Sequence, residues 1–387
     1  MSPRVLLHSG SVLDVVAGEV RPADVVLEGD RIVDVGIGLD GDEAIDCQNN
    51  LLVPGFIDCH THVCLSQTRL SPLEVPRSVR PLSAVPVLWT LLRLGVTTVR
   101  DAWGADAGVR LAIAKGWIDG PDLLISLRQV GTTGAIGDSW SPRTGSLDFF
   151  DDPALPDPIF DGSDAARAVV RRMVRAGADW IKVTATGSMA LGTGVHDVQL
   201  TLDELTAVVD EARRRGGRGV MVHAHGARAA ELAARAGAAS IEHGTYLDEA
   251  AISAMADAGT WYVPTLSVTQ TDPEHAPEGA AEAHRESMRL AIDAGVRIAM
   301  GSDNPVRPHT EVLWELRHLA ATGLGDAGAL RAATIDAARL LGLADDRGEL
   351  VAGKRADLVL LAGTDLDCTA LEQRIQQIVH NGTIVGR

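Results

Sequence analysis

Two histidines one residue apart end an apolar run near the start of the chain. Residues 54–62 read Pro-Gly-Phe-Ile-Asp-Cys-His-Thr-His, which is typical of a buried strand that ends in His60 and His62. Side chains alternate along a strand, so both imidazoles project on the same side. Taken alone, such a pair is more often a surface or core feature than a metal site. Its spacing nevertheless lets two neutral imidazoles bind one cation of the zinc class.

Four further polar residues stand at the ends of later apolar runs: Lys182, His223, His243 and Asp303. Taken singly, a lysine in a strand is usually an ion-pair partner, and a histidine is usually a hydrogen-bonded core residue. The carboxyl ends of the strands of a parallel barrel, however, all meet at one mouth, where active sites lie. If the runs form such a barrel, these side chains and the two histidines converge, and coincidence is the weaker explanation.

The elements that must position these residues follow a regular alternation. Short β-branched runs alternate with longer stretches rich in Ala, Leu and Arg, as in a parallel sheet with crossover helices. Residues 202–215 carry apolar residues on one helical face and stop at two glycines. Eight candidate strands end near His60, Arg100, Leu127, Thr184, His223, Glu242, Pro264 and Gly301. The sequence therefore predicts an α/β fold, a (β/α)8 TIM-type barrel over residues 55–345.

Both ends of the chain have a different residue pattern from this middle part. Short strand-like runs broken by Gly and Asp turns cover the first 47 residues, and similar runs return at residues 356–361 and 375–385. Asn381-Gly382 has the composition of a two-residue hairpin turn. We therefore expect a small composite β-sandwich domain built from residues 1–54 and 346–387. Residues 134–161 show no period, and they are either a substrate-covering loop or disordered.

Composition sets wider limits on function. A chain of 387 residues with 46% hydrophobic and 22% charged residues can bury a barrel and an accessory domain. The net charge of −17 disfavours nucleic acid and anionic membrane surfaces as partners. Neither a secretory signal nor a bilayer-spanning run is visible. Four cysteines without paired spacing do not form a disulfide framework, so a reducing, cytoplasmic setting is expected.

Several motifs in combination resemble the amidohydrolase superfamily, and within it the imidazolonepropionase-like and Xaa-Pro dipeptidase-like group. The resemblance spans nearly the whole chain. It is carried by the motifs at residues 10–14, 28–36, 54–62, 241–244, 301–303 and 353–359. It implies a hydrolase acting on C–N bonds, of the dipeptidase or amidase kind, with a small-molecule substrate and self-association into a homo-oligomer.

The resemblance also implies a binuclear centre with two divalent metal ions, expected to be zinc. His60 and His62 would bind the more buried ion, and His223 and His243 the other. Lys182, carboxylated by carbon dioxide or bicarbonate, would bridge the two ions. Asp303 would bind the first ion, contact the bridging hydroxide, and pass a proton to the departing amine. A centre with one metal and an uncarboxylated Lys182 stays open as an alternative, with these ligands: His60, His62, His223 and Asp303.

The substrate is less well specified than the chemistry. Deaminases and imidazolonepropionases of the superfamily usually carry His-x-x-Glu where this chain has Gly226, which disfavours ring deamination. Residues 131–135 depart from the Gly-Gly-His segment of the dipeptidases. Arg69, His196 and His225 are candidates to contact substrate. We expect cleavage of an amide in a dipeptide, an N-acyl amino acid or a related amide such as a mycotoxin. The alternatives are a lactone or ester hydrolase and a non-catalytic scaffold.

Overall fold

The computed structural model describes residues 3–65, 76–148, 150, 152–189, 192–272 and 276–386. Its strands are β1 (Arg4–His8), β2 (Ser11–Asp14), β3 (Glu19–Pro22), β4 (Asp24–Glu28), β5 (Arg31–Gly36), β6 (Glu43–Asp46), β7 (Asn50–Pro54), β8 (Phe56–Thr61), β9 (Val96–Asp101), β10 (Asp122–Ile125), β11 (Gln129–Val130), β12 (Ser139–Ser141), β13 (Gly145–Leu147), β14 (Ile181–Thr184), β15 (Val220–Gly226), β16 (Ser240–Tyr246), β17 (Trp261–Val263), β18 (Leu358–Ala362), β19 (Ile375–His380) and β20 (Thr383–Ile384).

The helices are α1 (Val79–Arg93), α2 (Ala107–Ala114), α3 (Ser163–Arg175), α4 (Leu202–Arg214), α5 (Ala227–Arg235), α6 (Glu249–Ala258), α7 (Ser267–Gln270), α8 (Ala280–Asp293), α9 (Trp314–Leu319), α10 (Gly325–Ala332), α11 (Ile335–Leu341) and α12 (Leu371–Arg374). A 3-10 helix at His309–Glu311 and a π-helical turn at Ala320–Leu324 interrupt this series. Within the described ranges, no helix combines the length and the apolar character needed to cross a bilayer.

Parallel strands form the centre of the molecule and close on themselves. Strands β8, β9 and β10 pair in parallel, and so do β11, β14, β15, β16 and β17. β10 and β11 are two halves of one barrel position, interrupted where Leu127 has a φ of 67°. Parallel bridges from Tyr262 to Ile298 and from Thr61 to Asn304 add the last position and join it to the first. The predicted (β/α)8 barrel is confirmed, although β16 continues to Tyr246 and the eighth position is formed by isolated bridges at Ile298 and Asn304 rather than by a strand.

The helices around the barrel form for local reasons that α4 illustrates. Thr201 accepts a hydrogen bond from the backbone of Glu204, whose side chain accepts one from Thr201 in return, which caps the first turn. Leu205, Val208 and Val209 then fall on one buried face of the helix. The helix therefore covers the sheet with its apolar face, as the sequence predicts for this segment.

Two further sheets combine both ends of the chain. One has the order β5-β4-β1-β6, and the other has the order β20-β19-β18-β7-β2-β3. Their facing side chains share an apolar core to which Leu7, Val25, Leu52, Leu358 and Val379 contribute. The predicted two-residue hairpin is confirmed, because β19 and β20 pair antiparallel around Asn381-Gly382. We propose that residues 1–54 and 346–387 form one composite domain, since these strands and this core come from those residues.

The segment at residues 134–161 carries an antiparallel hairpin made of β12 and β13. Arg128, at the end of the third barrel position, forms an ion pair with Asp148, with 2.8 Å between Nη1 and Oδ1, and donates to the carbonyl of Leu155. Of the two alternatives that the sequence leaves open, the described part of this segment favours a covering loop over disorder. We call residues 131–148 the covering segment below.

The tip of the β19–β20 hairpin gives the first testable prediction. Gly382 has a φ of 72°, and a Cβ there would lie 1.7 Å from the carbonyl oxygen of Gly29. We expect Gly382→Ala to lower the free energy of unfolding by about 2–4 kcal/mol, because backbone strain and steric overlap add. Gly116→Ala is the control, since Gly116 has a φ of 65° but open space around it. It is expected to cost about 1 kcal/mol. Equal thermal shifts for both variants would refute the close contact.

Candidate active site

One cavity of about 370 Å³ at the carboxyl ends of the barrel strands contains all six side chains that the sequence predicts as metal ligands. They lie in or just after β8, β14, β15, β16 and the last barrel position: His60, His62, Lys182, His223, His243 and Asp303. Each is at most 9% exposed. The barrel therefore converts residues that are far apart in sequence into one buried cluster.

One donor atom each of His60, His243 and Asp303 lies within 4.8 Å of the other two, which is close enough for one metal ion. His60 Nε2 is 3.3 Å from Lys182 Nζ and 3.3 Å from Asp303 Oδ1. His62 Nε2 is 3.0 Å from the same carboxylate oxygen. The ring centroids of His223 and His243 are 4.5 Å apart. A buried set of imidazole, amine and carboxylate groups at these distances fits a divalent cation of the zinc class.

Hydrogen bonds on the far side of the rings fix their orientation. Glu242 Oε2 lies 2.6 Å from His60 Nδ1, and Arg100 Nη2 lies 3.1 Å from the other oxygen of Glu242. Thr265 Oγ1 is 2.9 Å from His243 Nδ1. In His60 and His243, Nε2 is therefore the ring nitrogen on the cavity side. Metal-binding histidines usually have this arrangement, with the other ring nitrogen hydrogen-bonded to the protein. The sequence analysis gave no role to Arg100 or Glu242. A charged residue in an otherwise apolar strand could have indicated a buried ion pair.

The backbone is in the left-handed region at three of these strand ends. His243 has a φ of 70°, Thr265 of 53° and Asp303 of 53°. Residues other than glycine rarely adopt this conformation, which costs about 1–3 kcal/mol at each position. Because two of the three belong to the cluster and the third holds His243, the strain is concentrated where side chains must converge.

Burial determines the charge state of the cluster. It lowers the pKa of His62, His223 and His243, so these imidazoles are neutral, the form that binds metals. Burial alone would raise the pKa of Asp303, but the imidazoles of His60 and His243 outweigh it and hold that pKa well below its ordinary value. The cluster therefore combines neutral imidazoles with an ionised carboxylate.

Lys182 differs from an ordinary surface lysine. Burial lowers the pKa of its amine to about 8, against the opposing effect of the carboxylates of Glu242 and Asp303. A larger fraction of this amine is therefore uncharged near neutral pH than in an exposed lysine. The uncharged amine is the form that can add to carbon dioxide.

The three predicted substrate-contacting residues have different positions. His225 lines the cavity, its ring stacks on that of His243 at 5.0 Å, and its Nδ1 lies 2.9 Å from Thr245 Oγ1. His196 is exposed, lies 4.7 Å from the ring of Tyr246, and is not among the described residues that line the cavity. Arg69 lies outside the described residues. Of the three, the structure brings only His225 to the cluster, and the roles of His196 and Arg69 stay predictions.

Gly226 has little room for a side chain. A Cβ there would lie 3.0 Å from the carbonyl oxygen of Val195 and 3.2 Å from the Cα of His196. The loop after β14 therefore occupies the space into which a glutamate at this position would extend. This contact agrees with the sequence argument against a ring-directed proton shuttle.

The rest of the cavity wall consists of apolar residues and polar residues other than Asp, Glu, Lys and Arg, and the apolar part lies mainly in the segments that follow strands. It includes Leu65, Trp103, Ile136, Met189, Val268 and Val306. Outside the six convergent residues, no Asp, Glu, Lys or Arg side chain occurs among the described residues that line the cavity. The cavity therefore combines the six convergent residues with a wall that has no Asp, Glu, Lys or Arg side chain among the described residues.

A (β/α)8 barrel with this donor set at its mouth defines a metal-dependent barrel hydrolase. Residues 51–386 match the model of the amidohydrolase family, and the chain belongs to that family.

Named relatives agree with this assignment. Ochratoxinase from Aspergillus niger is 30% identical over 357 residues, which cover 85% of this chain and 74% of the relative. Imidazolonepropionase from Mesorhizobium japonicum is 30% identical over 361 residues, which cover 83% and 80%. A crystal structure of a Xaa-Pro dipeptidase with bound methionine superposes with a TM-score of 0.88 at 28% identity, covering 99% of both chains. The resemblance noted in the sequence is confirmed, and the chain is an enzyme, so the scaffold alternative is set aside.

Replacement of Glu242 tests how His60 is held. We expect Glu242→Gln to weaken divalent metal binding about 10–100-fold, because the neutral amide orients the imidazole less firmly than the carboxylate. Metal affinity would be measured by competition with a chelator, and the metal content by mass spectrometry.

Glu211→Gln is the matched control for that change. Glu211 is also buried and is paired with two arginines, Arg171 and Arg215, but it lies on α4 away from the cavity. It should lose stability and keep wild-type metal affinity. Identical metal affinities for the two variants would contradict the role given to Glu242.

Proposed function

We propose that this enzyme is a binuclear metal-dependent hydrolase that cleaves an amide bond in a small molecule. The candidates are a dipeptide, an N-acyl amino acid and a related amide. The observation that carries the proposal is the convergence of six buried ligand-type side chains on one cavity. If these residues had ordinary structural roles, as surface histidines or core ion pairs, there would be no reason for all six to lie at one barrel mouth.

His60, His62 and Asp303 would hold one divalent ion, and His223 and His243 the other, with zinc expected at both. Carboxylated Lys182 would lie between them, since its amine is already 3.3 Å from His60 Nε2. When bound, the ions would supply a hydroxide at neutral pH and polarise the scissile carbonyl. Each of these assignments goes beyond the family membership.

Asp303 is the residue that we assign to proton transfer. Its carboxylate is held ionised beside His60 and His62, and an ionised carboxylate can accept a proton. It would take the proton released during attack on the amide and deliver it to the nitrogen of the departing amine. His225 would contact the substrate, because Thr245 binds its Nδ1 and its ring faces the cavity.

Amide cleavage is favoured over ring chemistry for two reasons. The named relatives include an ochratoxinase and a Xaa-Pro dipeptidase. In addition, the contact of Gly226 with Val195 leaves little room for the glutamate that a ring-directed proton shuttle needs. A lactone or ester hydrolase on the same centre is the competing proposal, because a polarised ester carbonyl needs the same groups.

The setting of the enzyme is also a proposal. The four cysteines are all buried free thiols, which agrees with a reducing, cytoplasmic compartment. A homo-oligomer is expected from the family resemblance, and the mass in solution would test it.

A substrate panel tests the reaction type. The metal-loaded enzyme would be assayed on dipeptides, N-acyl amino acids and aryl amides, with lactones and phosphotriesters of similar size as comparison. We expect amide turnover that a chelator reduces by about 100-fold or more and that added zinc restores. Turnover of lactones or phosphotriesters alone would reject the amidase assignment.

Replacement of Lys182 tests the bridge. We expect Lys182→Ala to lose at least one metal ion per chain and to lower kcat/KM by about 100-fold or more, because the two sites lose their shared ligand. Lys115→Ala, at an exposed position after α2, is the control and should match the wild type. A Lys182→Ala enzyme with full activity and both metals would rule out the bridging role.

A further inference from the structure

Gln129 is a cavity residue to which the proposed reaction gives no role. It lies on β11, where it pairs in parallel register with Lys182 of β14. Residues paired in this way project on the same side of a sheet, so the two side chains lie next to each other at the barrel mouth. Gln129 is one of the residues that line the cavity.

The side-chain amide of Gln129 is not satisfied by the protein. The residue is 7% exposed, and its Oε1 is buried with no hydrogen-bond partner among the described residues. Buried polar atoms almost always have a partner, and leaving one unpaired costs free energy. Because Gln129 lines the cavity, the unpaired oxygen of its amide indicates that a ligand can supply the missing hydrogen bond once the amide turns toward it.

The covering segment holds Gln129 in place. A Cβ at Gly137 would lie 2.4 Å from the backbone carbonyl oxygen of Gln129, so only glycine lets the two backbones approach this closely. Ile136 and Ser139, on either side of Gly137, line the same cavity. Gln129 therefore lies between Lys182 on β14 and the covering segment, which both line the cavity.

An apolar part of the cavity wall is held in place by aromatic and cation–π contacts. Trp103 lines the cavity, and its ring lies 5.4 Å from that of Phe150 in an edge-to-face arrangement. The guanidinium groups of Arg80 and Arg128 lie 5.4 and 5.0 Å from the Phe150 ring. A flat apolar group can therefore rest on Trp103 while Gln129 supplies a hydrogen bond nearby.

We propose that Gln129 is a specificity-determining residue that hydrogen-bonds an uncharged polar group next to the scissile amide, while Trp103 contacts an apolar group of the same substrate. A neutral amide can satisfy a neutral partner but cannot compensate a buried charge, which is why the group is uncharged. The inference rests on the proposed amide hydrolysis and narrows its candidates to the related amides, because dipeptides and N-acyl amino acids carry a charged carboxylate next to the scissile nitrogen.

Three benzoyl amides of one skeleton test this assignment: N-benzoyl-phenylalaninamide, N-benzoyl-phenylalanine and N-benzoyl-2-phenylethylamine. They carry a carboxamide, a carboxylate or hydrogen next to the scissile nitrogen, and benzoate release is measured. Wild-type enzyme should prefer the carboxamide over the other two by about 10-fold or more in kcat/KM. In Gln129→Leu this preference should fall to about one, while kcat/KM for the phenylethylamine substrate and the metal content stay at wild-type values.

Gln199→Leu is the matched control, because Gln199 also has a buried amide oxygen without a partner but is not among the described residues lining the cavity. It should keep the wild-type preference. Gln129→Met keeps the length of the side chain without its amide and covers the case in which the leucine variant does not fold; it too should lose the preference.

An equal loss on all three substrates in Gln129→Leu, an unchanged preference, or faster wild-type turnover of the carboxylate would each overturn the inference. Turnover of none of the three by metal-loaded wild-type enzyme would instead count against the proposed amide hydrolysis.

Discussion

The burial of six ionisable side chains around one cavity is the constraint on which the rest of this structure depends. Removing such groups from water is costly unless they are neutral or paired. Three of the imidazoles meet this condition because burial lowers their pKa, and Asp303 stays ionised because imidazoles surround it. Arg100 and Glu242 form a fully buried ion pair, and Glu242 also contacts His60. The charge of Glu242 is therefore compensated by Arg100 while it holds the imidazole.

The terminal sheets contribute to this arrangement through the strand that carries His60 and His62. β7 of the terminal sheet continues directly into β8 of the barrel, with Gly55 as the only residue between them. Gly55 donates its backbone N–H to the carbonyl of Asp357, and a Cβ there would lie 2.3 Å from Thr97 Oγ1. The backbone at Gly55 is therefore fixed on both sides, so the terminal sheet anchors the first barrel strand.

The parts of the site that the sequence predicts are those encoded locally. A histidine or aspartate at the end of an apolar run is visible without a structure, and the barrel rule then brings such ends together. Gln129 has no such signal, because its importance lies in a missing partner. His196 lies in a loop, whose conformation follows no period; the residue is exposed beside Tyr246, and its contact with substrate stays a prediction. The strands β12 and β13 have three residues each, too few for alternation to be read.

Much of the apolar cavity wall comes from other parts of the chain than the convergent residues, and this division explains why relatives with different names can share one fold. The convergent residues come from strand ends, whereas Trp103, Ile136 and Met189 come from the segments that follow strands. Loops change without disturbing a barrel, so substrate class can diverge while the ligand set persists. The convergent residues therefore support a type of reaction, but the substrate must be inferred from the residues that line the rest of the cavity. In this chain the wall combines apolar side chains with the unpaired amide oxygen of Gln129, and we infer that the substrate matches this combination.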